Sequence, residues 1–159
     1  MREIKLTQDK VSIVDDEDFD KLNQFKWFAH WDRHNWYACR HTGRINGKDP
    51  ITGMHRVIMN PQENMEVDHK DGDGLNNQKS NLRVCTHRQN NRNLKPRLDK
   101  ISSKLKGVSW HKKNRKFTST ITSNQNTIHL GCFNSEQEAA IAYDKAAKQL
   151  HGDFARTNY

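Results

Sequence analysis

The sequence predicts an α+β fold in three parts: a β-rich N-terminal unit, a strand–loop–strand–helix core, and a three-stranded antiparallel sheet backed by one helix. Glycines and asparagines crowd residues 71–77 between two short apolar runs, as in a loop. Apolar and polar residues alternate over 116–123, and alanines form one stripe over 139–147. The expected parts are residues 1–94, a basic linker at 95–106 and residues 107–159.

The first 60 residues contain signals for short strands and one helix. Val11 and Ile13 alternate with polar residues, which places them on one face of a strand. Phe19, Leu22 and Phe25 follow an acidic start at helical spacing. Strands are expected at 27–31 and 36–41, a loop at 43–53, and either a strand or a helix start at 54–59. Core packing is the expected role of most tryptophans there.

The central part predicts strand, loop, strand and helix in under thirty residues. The strands are expected at 67–69 and at 82–85, on either side of the glycine-rich loop. Thr86 is a candidate N-cap for a helix that reaches Leu94, and Pro96 should end it. Spacing of Leu94, Leu98, Ile101 and Leu105 also fits a short helix in the linker.

The last 53 residues predict three strands and a long helix. The strands are expected at 107–111, 116–123 and 127–133. Ser135 and Glu138 form a capping-box pattern before a helix that runs to about Leu150. We expect this helix to pack on the sheet through Phe117, Ile121, Ile128, Leu130 and Phe133.

Positive charge is concentrated in one third of the chain. The net charge is +8, but residues 83–116 hold twelve basic and one acidic side chains, while residues 51–82 have a net charge of −2. A basic tract beside carboxylates suits a polyphosphate partner, whereas the ordinary alternative is a solvated charged face. Mean hydropathy is −1.09, so any core must be small or divided.

Cysteine usage and hydropathy argue against a zinc knuckle, a secreted protein and a membrane protein. Cys39, Cys85 and Cys132 stand far apart without a CxxC pair, which argues against a zinc knuckle and suits a reducing compartment. No signal peptide and no long apolar run are visible, so we expect a cytoplasmic protein without a membrane partner.

Candidate chemistry centres on an Asp-His pair. Asp68, Asp71 and Asp73 are oxygen ligands that hard cations prefer, and His69 offers a base beside them. Phosphodiester hydrolysis needs an activated water and charge compensation at the phosphate. A second metal ligand could be the amide oxygen of Asn90 or Asn91.

Residues 67–91 resemble the HNH nuclease motif of phage and group I intron homing endonucleases. The matching segments are Val67-Asp68-His69, the loop 71–77, Ser80-Asn81-Leu82-Arg83, Cys85-Thr86 and Gln89-Asn90-Asn91. The resemblance implies a ββα-metal fold with one Mg²⁺ or Mn²⁺ and no zinc. It implies Asp68 and Asn90 as metal ligands, His69 as general base and Asn81 as a structural residue that pins the loop. Asp71 and Asp73 then belong to the loop, and His87 is a second base candidate without motif support.

Residues 107–159 resemble the plant Apetala-two/ethylene-response-factor DNA-binding domain. The match includes Gly107-Val108, Leu130-Gly131, Ala142-Tyr143-Asp144 and Asn158-Tyr159. The resemblance implies a sheet that enters the major groove, but Ser109, Thr127 and His129 replace plant base-reading residues, so the plant target does not carry over. The predicted DNA contacts are Arg56, Arg83, Arg88, Arg92, His111, Lys112, Lys113, Arg115, Lys116, Thr118, Thr120, Thr122 and His129. For Arg56 a structural role is the alternative.

These features predict a site-specific, homing-type endonuclease that acts on double-stranded DNA as a monomer. The first rival is a non-catalytic, sequence-specific DNA-binding regulator with a degenerate nuclease motif, against which the intact motif residues argue. The second rival is an RNA-binding factor, but the outward sheet face is rich in threonine rather than aromatic residues.

Overall fold

The structure is a computed structural model that describes residues 1–44, 46–94 and 102–159. It divides into two compact units, Met1–Asn90 and Asn91–Tyr159. The architecture is mixed α+β, with several small antiparallel sheets and short helices. Within the described ranges, every helix is too short or too polar to cross a membrane.

The first unit is built from short strands and helices. Its strands are β1 (Arg2–Lys5), β2 (Val11–Val14), β3 (Phe28–Trp31), β4 (Trp36–His41), β5 (Ile51–Gly53), β6 (Glu66–His69) and β7 (Leu82–Cys85). Its helices are α1 (Asp16–Leu22), α2 (Met54–Met59) and α3 (His87–Asn93), whose last residues belong to the second unit. β1 pairs with β2, β4 lies between β3 and β5, and β6 pairs with β7.

One apolar core joins the N-terminal strands to the loop that follows β6. Its buried members are Ile4, Val14, Leu22, Trp27, Ala38 and Met54. Leu75, from the loop after β6, packs against this cluster. The N-terminal residues therefore share one core with the predicted site, and the site depends on them for its position.

β2 presents the opposite face to the core from the one that apolar alternation suggests. Val11 is 39% exposed, whereas Ser12 and Val14 are fully buried. Ser12 points inward because its hydroxyl lies 3.0 Å from the carbonyl oxygen of Leu75 and 2.8 Å from Nδ2 of Asn77. These two hydrogen bonds offset the cost of burying the hydroxyl.

Other N-terminal features also differ from the prediction. α1 ends at Leu22, so Phe25 lies beyond the helix and is 41% exposed. Residues 54–59 form a helix, α2. The loop predicted at 43–53 is wrong for its last three residues, which form β5, and β1 was not predicted; both strands carry too little apolar alternation. Trp31 is 50% exposed and lies against Trp36, with ring centroids 5.2 Å apart, so Trp31 is an exception to the core packing expected of most tryptophans here.

The second unit contains one three-stranded antiparallel sheet and one long helix. Its elements are β8 (Val108–His111), β9 (Lys116–Ser123), β10 (Asn126–Phe133) and α4 (Glu136–His151), followed by a 3₁₀ turn at Gly152–Phe154. β9 is the central strand. The predicted capping box is present, because the Glu138 amide donates to Oγ of Ser135 at 3.2 Å and the Glu138 carboxylate accepts from the Ser135 amide. The possible linker helix through Leu98 and Ile101, and Pro96, lie outside the described residues.

Small side chains let α4 lie close to the sheet. Ala139, Ala140 and Ala147 are fully buried. The apolar residues around them are Val108, Phe117, Ile121, Leu130, Phe133 and Tyr143. Ile128 departs from the prediction at 40% exposed, because β10 is an edge strand with a neighbour on one side only. Trp110 is 38% exposed, with its ring edge-to-face against Phe117.

Candidate active site

The β6–β7 hairpin carries the predicted catalytic pair. Asp68 pairs across the hairpin with Arg83, and His69 pairs with Leu82. Asp68 is 6% exposed and His69 is 5% exposed. Because neighbouring strand residues face opposite sides, Asp68 shares a side with Glu66 while His69 points to the other. The hairpin therefore offers carboxylates on one side and an imidazole on the other.

His69 is buried beside two other rings. Its ring centroid is 5.0 Å from that of His55 and 5.9 Å from that of Tyr37. Its Nε2 is 3.3 Å from Oδ1 of Asn77. Burial lowers the pKa of His69, and the Asn77 hydrogen bond and nearby carboxylates oppose this only in part. The imidazole is therefore neutral at pH 7, as a proton acceptor must be.

His55 is a part of the site that the sequence prediction missed. Burial, followed by the neighbouring His69 and Arg56, lowers the pKa of His55 to about 3. Burial also raises the pKa of the Tyr37 hydroxyl. Both groups are thus neutral at pH 7, so the two rings next to His69 carry no charge. In the sequence, only its position next to Arg56 drew attention to His55. Its place beside His69 depends on long-range packing, which the sequence does not show.

Asp68 forms a buried ion pair with Arg83. Nε and Nη2 of Arg83 donate to Oδ2 of Asp68 at 2.8 and 2.5 Å. The Arg83 side chain is 13% exposed, so little of it reaches solvent. In the structure Arg83 compensates the charge of the predicted metal ligand, and its predicted contact with DNA stays a prediction.

Glu66 links β6 to the helix that follows the hairpin. Its Oε2 accepts from Nδ2 of Asn90 at 2.7 Å, and its Oε1 lies 2.7 Å from Nδ1 of His87. Burial raises the pKa of Glu66, but these two hydrogen bonds and the His87 charge outweigh it and lower the pKa overall. Asn90 therefore faces β6, whereas Asn91 is exposed. Glu66 was not predicted, although it lies two residues before Asp68 on the same strand face.

Asn81 organises the loop between β6 and β7. Its Oδ1 accepts from the Asp71 amide at 3.1 Å, and its Nδ2 donates to Oδ1 of Asp71 and to the carbonyl of Asn76. Asp71 also accepts from the Asp73 amide and from Nδ2 of Asn76, each at 2.8 Å. Burial raises the pKa of Asp71, but these donors lower it overall. Both Asp71 and Asp73 are thus engaged inside the loop, since Asp73 accepts from the Leu75 amide.

The same loop is held against β4. Nδ2 of Asn35 donates to the carbonyl of Gly72 at 2.8 Å. At Gly74 any Cβ would collide with the Trp36 carbonyl and the Tyr37 ring. Glycine is required there because the backbone approaches β4 too closely for a side chain.

Of the remaining predicted arginine contacts, one is internal. Nη1 of Arg56 donates to the carbonyl of Met65 at 3.1 Å, which supports its structural alternative. Arg88 is exposed. Arg92 is half-buried, and its carbonyl accepts from Nζ of Lys106.

The outer face of the second sheet gathers polar side chains. Cross-strand pairs place Ser109 beside Thr118, Thr120 beside His129, and Thr122 beside Thr127. The turn and strand residues predicted to contact DNA are exposed or half-buried: His111, Lys112, Lys113, Arg115, Lys116, Thr118, Thr120, Thr122 and His129. Cys132, which was not predicted, is exposed on the same face, with Sγ 3.8 Å from Nε2 of His129. This face is open to a ligand.

The side chains around β6 have the chemistry of a hard-cation site. The described residues contain no cluster of three or more His, Cys, Asp or Glu side chains arranged around a common point. The carboxylates of Asp68 and Glu66 share one strand face, and Asn90 reaches Glu66. Carboxylate and amide oxygens suit Mg²⁺ and Mn²⁺, which need only one or two protein ligands. The donor set therefore fits a divalent metal, with Arg83 already balancing part of the negative charge.

Comparison with known proteins relates this region to nucleases. A family model described as HNH endonuclease matches residues 33–92. Protein 3.8 of Escherichia phage T7 is 32% identical over 90 residues, which cover 57% of this chain and 73% of that protein. An uncharacterized HNH endonuclease of Acanthamoeba polyphaga mimivirus is 36% identical over 92 residues, which cover 58% of this chain and 46% of the viral protein. The chain thus spans under half the length of the mimivirus relative.

Proposed function

Residues 33–92 belong to the HNH endonuclease family, and on this premise we propose that the chain is a homing-type endonuclease that hydrolyses double-stranded DNA at a specific site. The observation that carries the proposal is the buried, neutral His69 at the end of β6, directly after a carboxylate that is held by an arginine. A neutral imidazole in this position can accept the proton of an attacking water.

Four side chains divide the work in this proposal. His69 takes the proton from water. Asp68 and Asn90 hold a divalent metal, Mg²⁺ or Mn²⁺, and the exposed position of Asn91 favours Asn90 as the second ligand. The chemistry that the bound ion supplies is compensation of negative charge on the phosphate and the leaving oxygen. Asn81 keeps the loop, and with it the end of β6, in position.

The second unit would hold the DNA. Its outer sheet face presents hydroxyl, imidazole and ammonium groups, and the exposed cations of the β8–β9 turn suit phosphate contacts. Few long cations lie on the strands themselves, which favours modest base discrimination. The description of the matching family, HNH endonuclease, favours a nuclease over a non-catalytic regulator.

A plasmid assay tests the proposal. Purified protein is incubated with supercoiled plasmid that carries the flanks of its own gene, with Mg²⁺ or with EDTA. We expect metal-dependent relaxation or linearisation that is lost in His69→Ala and in Asp68→Ala, with DNA binding retained. His30→Ala, which changes an exposed histidine, is the matched control. Tight binding without cleavage across a series of metals would instead favour the non-catalytic regulator.

A further inference from the structure

A chain of buried polar side chains runs from β2 to the candidate base. Ser12 and Asn77 are fully buried and His69 is 5% exposed. Asn77 lies between the other two, with Nδ2 at 2.8 Å from Oγ of Ser12 and Oδ1 at 3.3 Å from Nε2 of His69. The donor and acceptor atoms of each side chain are limited in number. The donor and the acceptor of each hydrogen bond in this series can therefore be assigned.

The direction is set at Ser12. Its hydroxyl has one proton and lies 3.0 Å from the Leu75 carbonyl oxygen and 3.4 Å from Sδ of Met54. A carbonyl oxygen and a thioether can only accept, so the hydroxyl proton points to one of them. Oγ of Ser12 must therefore accept from Asn77, which puts the amide nitrogen of Asn77 on that side.

A second acceptor fixes the same orientation independently. Nδ2 of Asn77 is 3.3 Å from the carbonyl oxygen of Gly74, which has no proton to give. The Asn77 backbone is also held, because its amide donates to the Ile13 carbonyl at 2.8 Å. Both amide protons of the side chain are thus directed away from His69, and Oδ1 faces it. An amide oxygen only accepts, so Nε2 of His69 carries the proton and Nδ1 carries the lone pair.

We propose that Asn77 is a positioning residue that holds His69 in the Nε2–H tautomer, so that Nδ1 is the atom that accepts the proton of water. This inference rests on the proposed nuclease function for its catalytic meaning, but the tautomer is a property of the protein alone. It also assigns Ser12, which lies in the N-terminal strands, a part in the site. Residues 1–14 would then be needed for the base itself and not only for the core.

Nuclear magnetic resonance of ¹⁵N-histidine-labelled protein tests the tautomer directly. Spectra are recorded at pH 8, and the His69 signals among nine histidines are identified by their loss in His69→Gln. We expect the pattern of a protonated Nε2 and an unprotonated Nδ1 in the wild type, and a mixture of tautomers in Asn77→Leu. A protonated Nδ1 in the wild type would overturn the proposal.

Kinetics test the consequence. Asn77→Leu removes the acceptor and keeps a side chain of the same branched shape but larger volume, whereas in Asn77→Asp an ionised carboxylate still accepts from Nε2. We expect Asn77→Leu to lower kcat at least about tenfold with KM for DNA unchanged, and Asn77→Asp to restore most of this loss. Equal losses in two variants that both remain folded would refute the role of Asn77. If the wild type does not cleave DNA at all, the proposed function fails, while the resonance spectra still decide the tautomer.

Discussion

The β6–β7 hairpin and the outer face of the β8–β10 sheet both collect polar side chains, but in opposite ways. In the hairpin, Asp68 and His69 are buried and each has a named polar partner in Arg83 or Asn77. On the sheet face, the cations of the β8–β9 turn and His129 are exposed. The first arrangement fixes side-chain orientation, and the second leaves side chains accessible.

This difference follows from what each surface has to do. A base and a metal ligand must be held in one geometry before substrate arrives, which requires hydrogen-bonded neighbours at low exposure. A phosphate contact works through charge and tolerates a mobile side chain, so exposure costs it little. Substitutions should therefore cost stability in the hairpin and DNA affinity on the sheet.

The largest expected effect comes from a pair of arginines in the same basic tract. Arg83→Met leaves the buried carboxylate of Asp68 without its counter-charge, so we expect a loss of about 3–5 kcal/mol in the free energy of unfolding. Arg88→Met changes an exposed cation and should stay within about 0.5 kcal/mol of the wild type. Urea titration followed by tryptophan fluorescence measures both. Similar values for the two variants would remove the distinction between buried and exposed cations.

The second prediction sharpens the comparison, because the second unit also contains a buried polar cluster around Asp144. The Asp144 carboxylate accepts from the Asn158 amide at 2.8 Å, from Nδ2 of Asn158 at 2.9 Å and from the Tyr159 amide at 3.0 Å. Asp144→Ala should cost about 2–3 kcal/mol of stability, since several charge-assisted hydrogen bonds are lost. Asn158→Ala and the double variant complete a thermodynamic cycle. Strictly additive losses would mean that the two side chains act separately.

The third prediction concerns pH. The pKa of His55 is lowered from 6.5 to about 3 by its burial. Between these values the unfolded chain binds a proton that the folded chain does not, so stability is highest above pH 6.5 and falls as the pH drops toward 3. Between pH 6.5 and pH 5, His55 should lower the free energy of unfolding by about 2 kcal/mol.

Urea unfolding at several pH values checks this sign and size. His55→Gln should flatten the dependence by that amount, whereas His30→Gln, at an exposed position, should leave the curve unchanged. A His55→Gln curve parallel to that of the wild type would show that His55 titrates normally in the folded chain.

Local signals in the sequence predicted the elements that local physics determines. The capping box at Ser135 and the glycine-rich loop after His69 depend on near neighbours, and both can be read from a few residues. The inward position of Ser12 could not be predicted in this way, because it depends on Leu75 and Asn77, which lie more than sixty residues further along the chain.

Pairing of charged side chains was the second feature that the sequence did not predict. Arg83 begins a basic tract that suits phosphate, and strand pairing places it opposite Asp68, with which it forms an ion pair that the sequence did not predict. Glu66 was missed for the related reason that its partners, Asn90 and His87, come from a helix that returns to β6 only in three dimensions. The roles of Asp68, His69 and Asn90 came from family resemblance, and they stay predictions until cleavage is measured.

The smallest expected effect lies on the open sheet face. Lys113 in the β8–β9 turn and Lys145 on the outer side of α4 are both exposed lysines of the second unit. Lys113→Ala should weaken DNA binding less than about tenfold and reduce the slope of log affinity against log salt by about one, because one phosphate contact is lost. Lys145→Ala should leave both quantities at the wild-type values. Fluorescence anisotropy with a labelled duplex at several salt concentrations measures them, and neither lysine should change the free energy of unfolding. Equal slopes for the two variants would mean that the sheet face does not meet the DNA backbone at this turn, and that the charge of the second unit acts only as a general field.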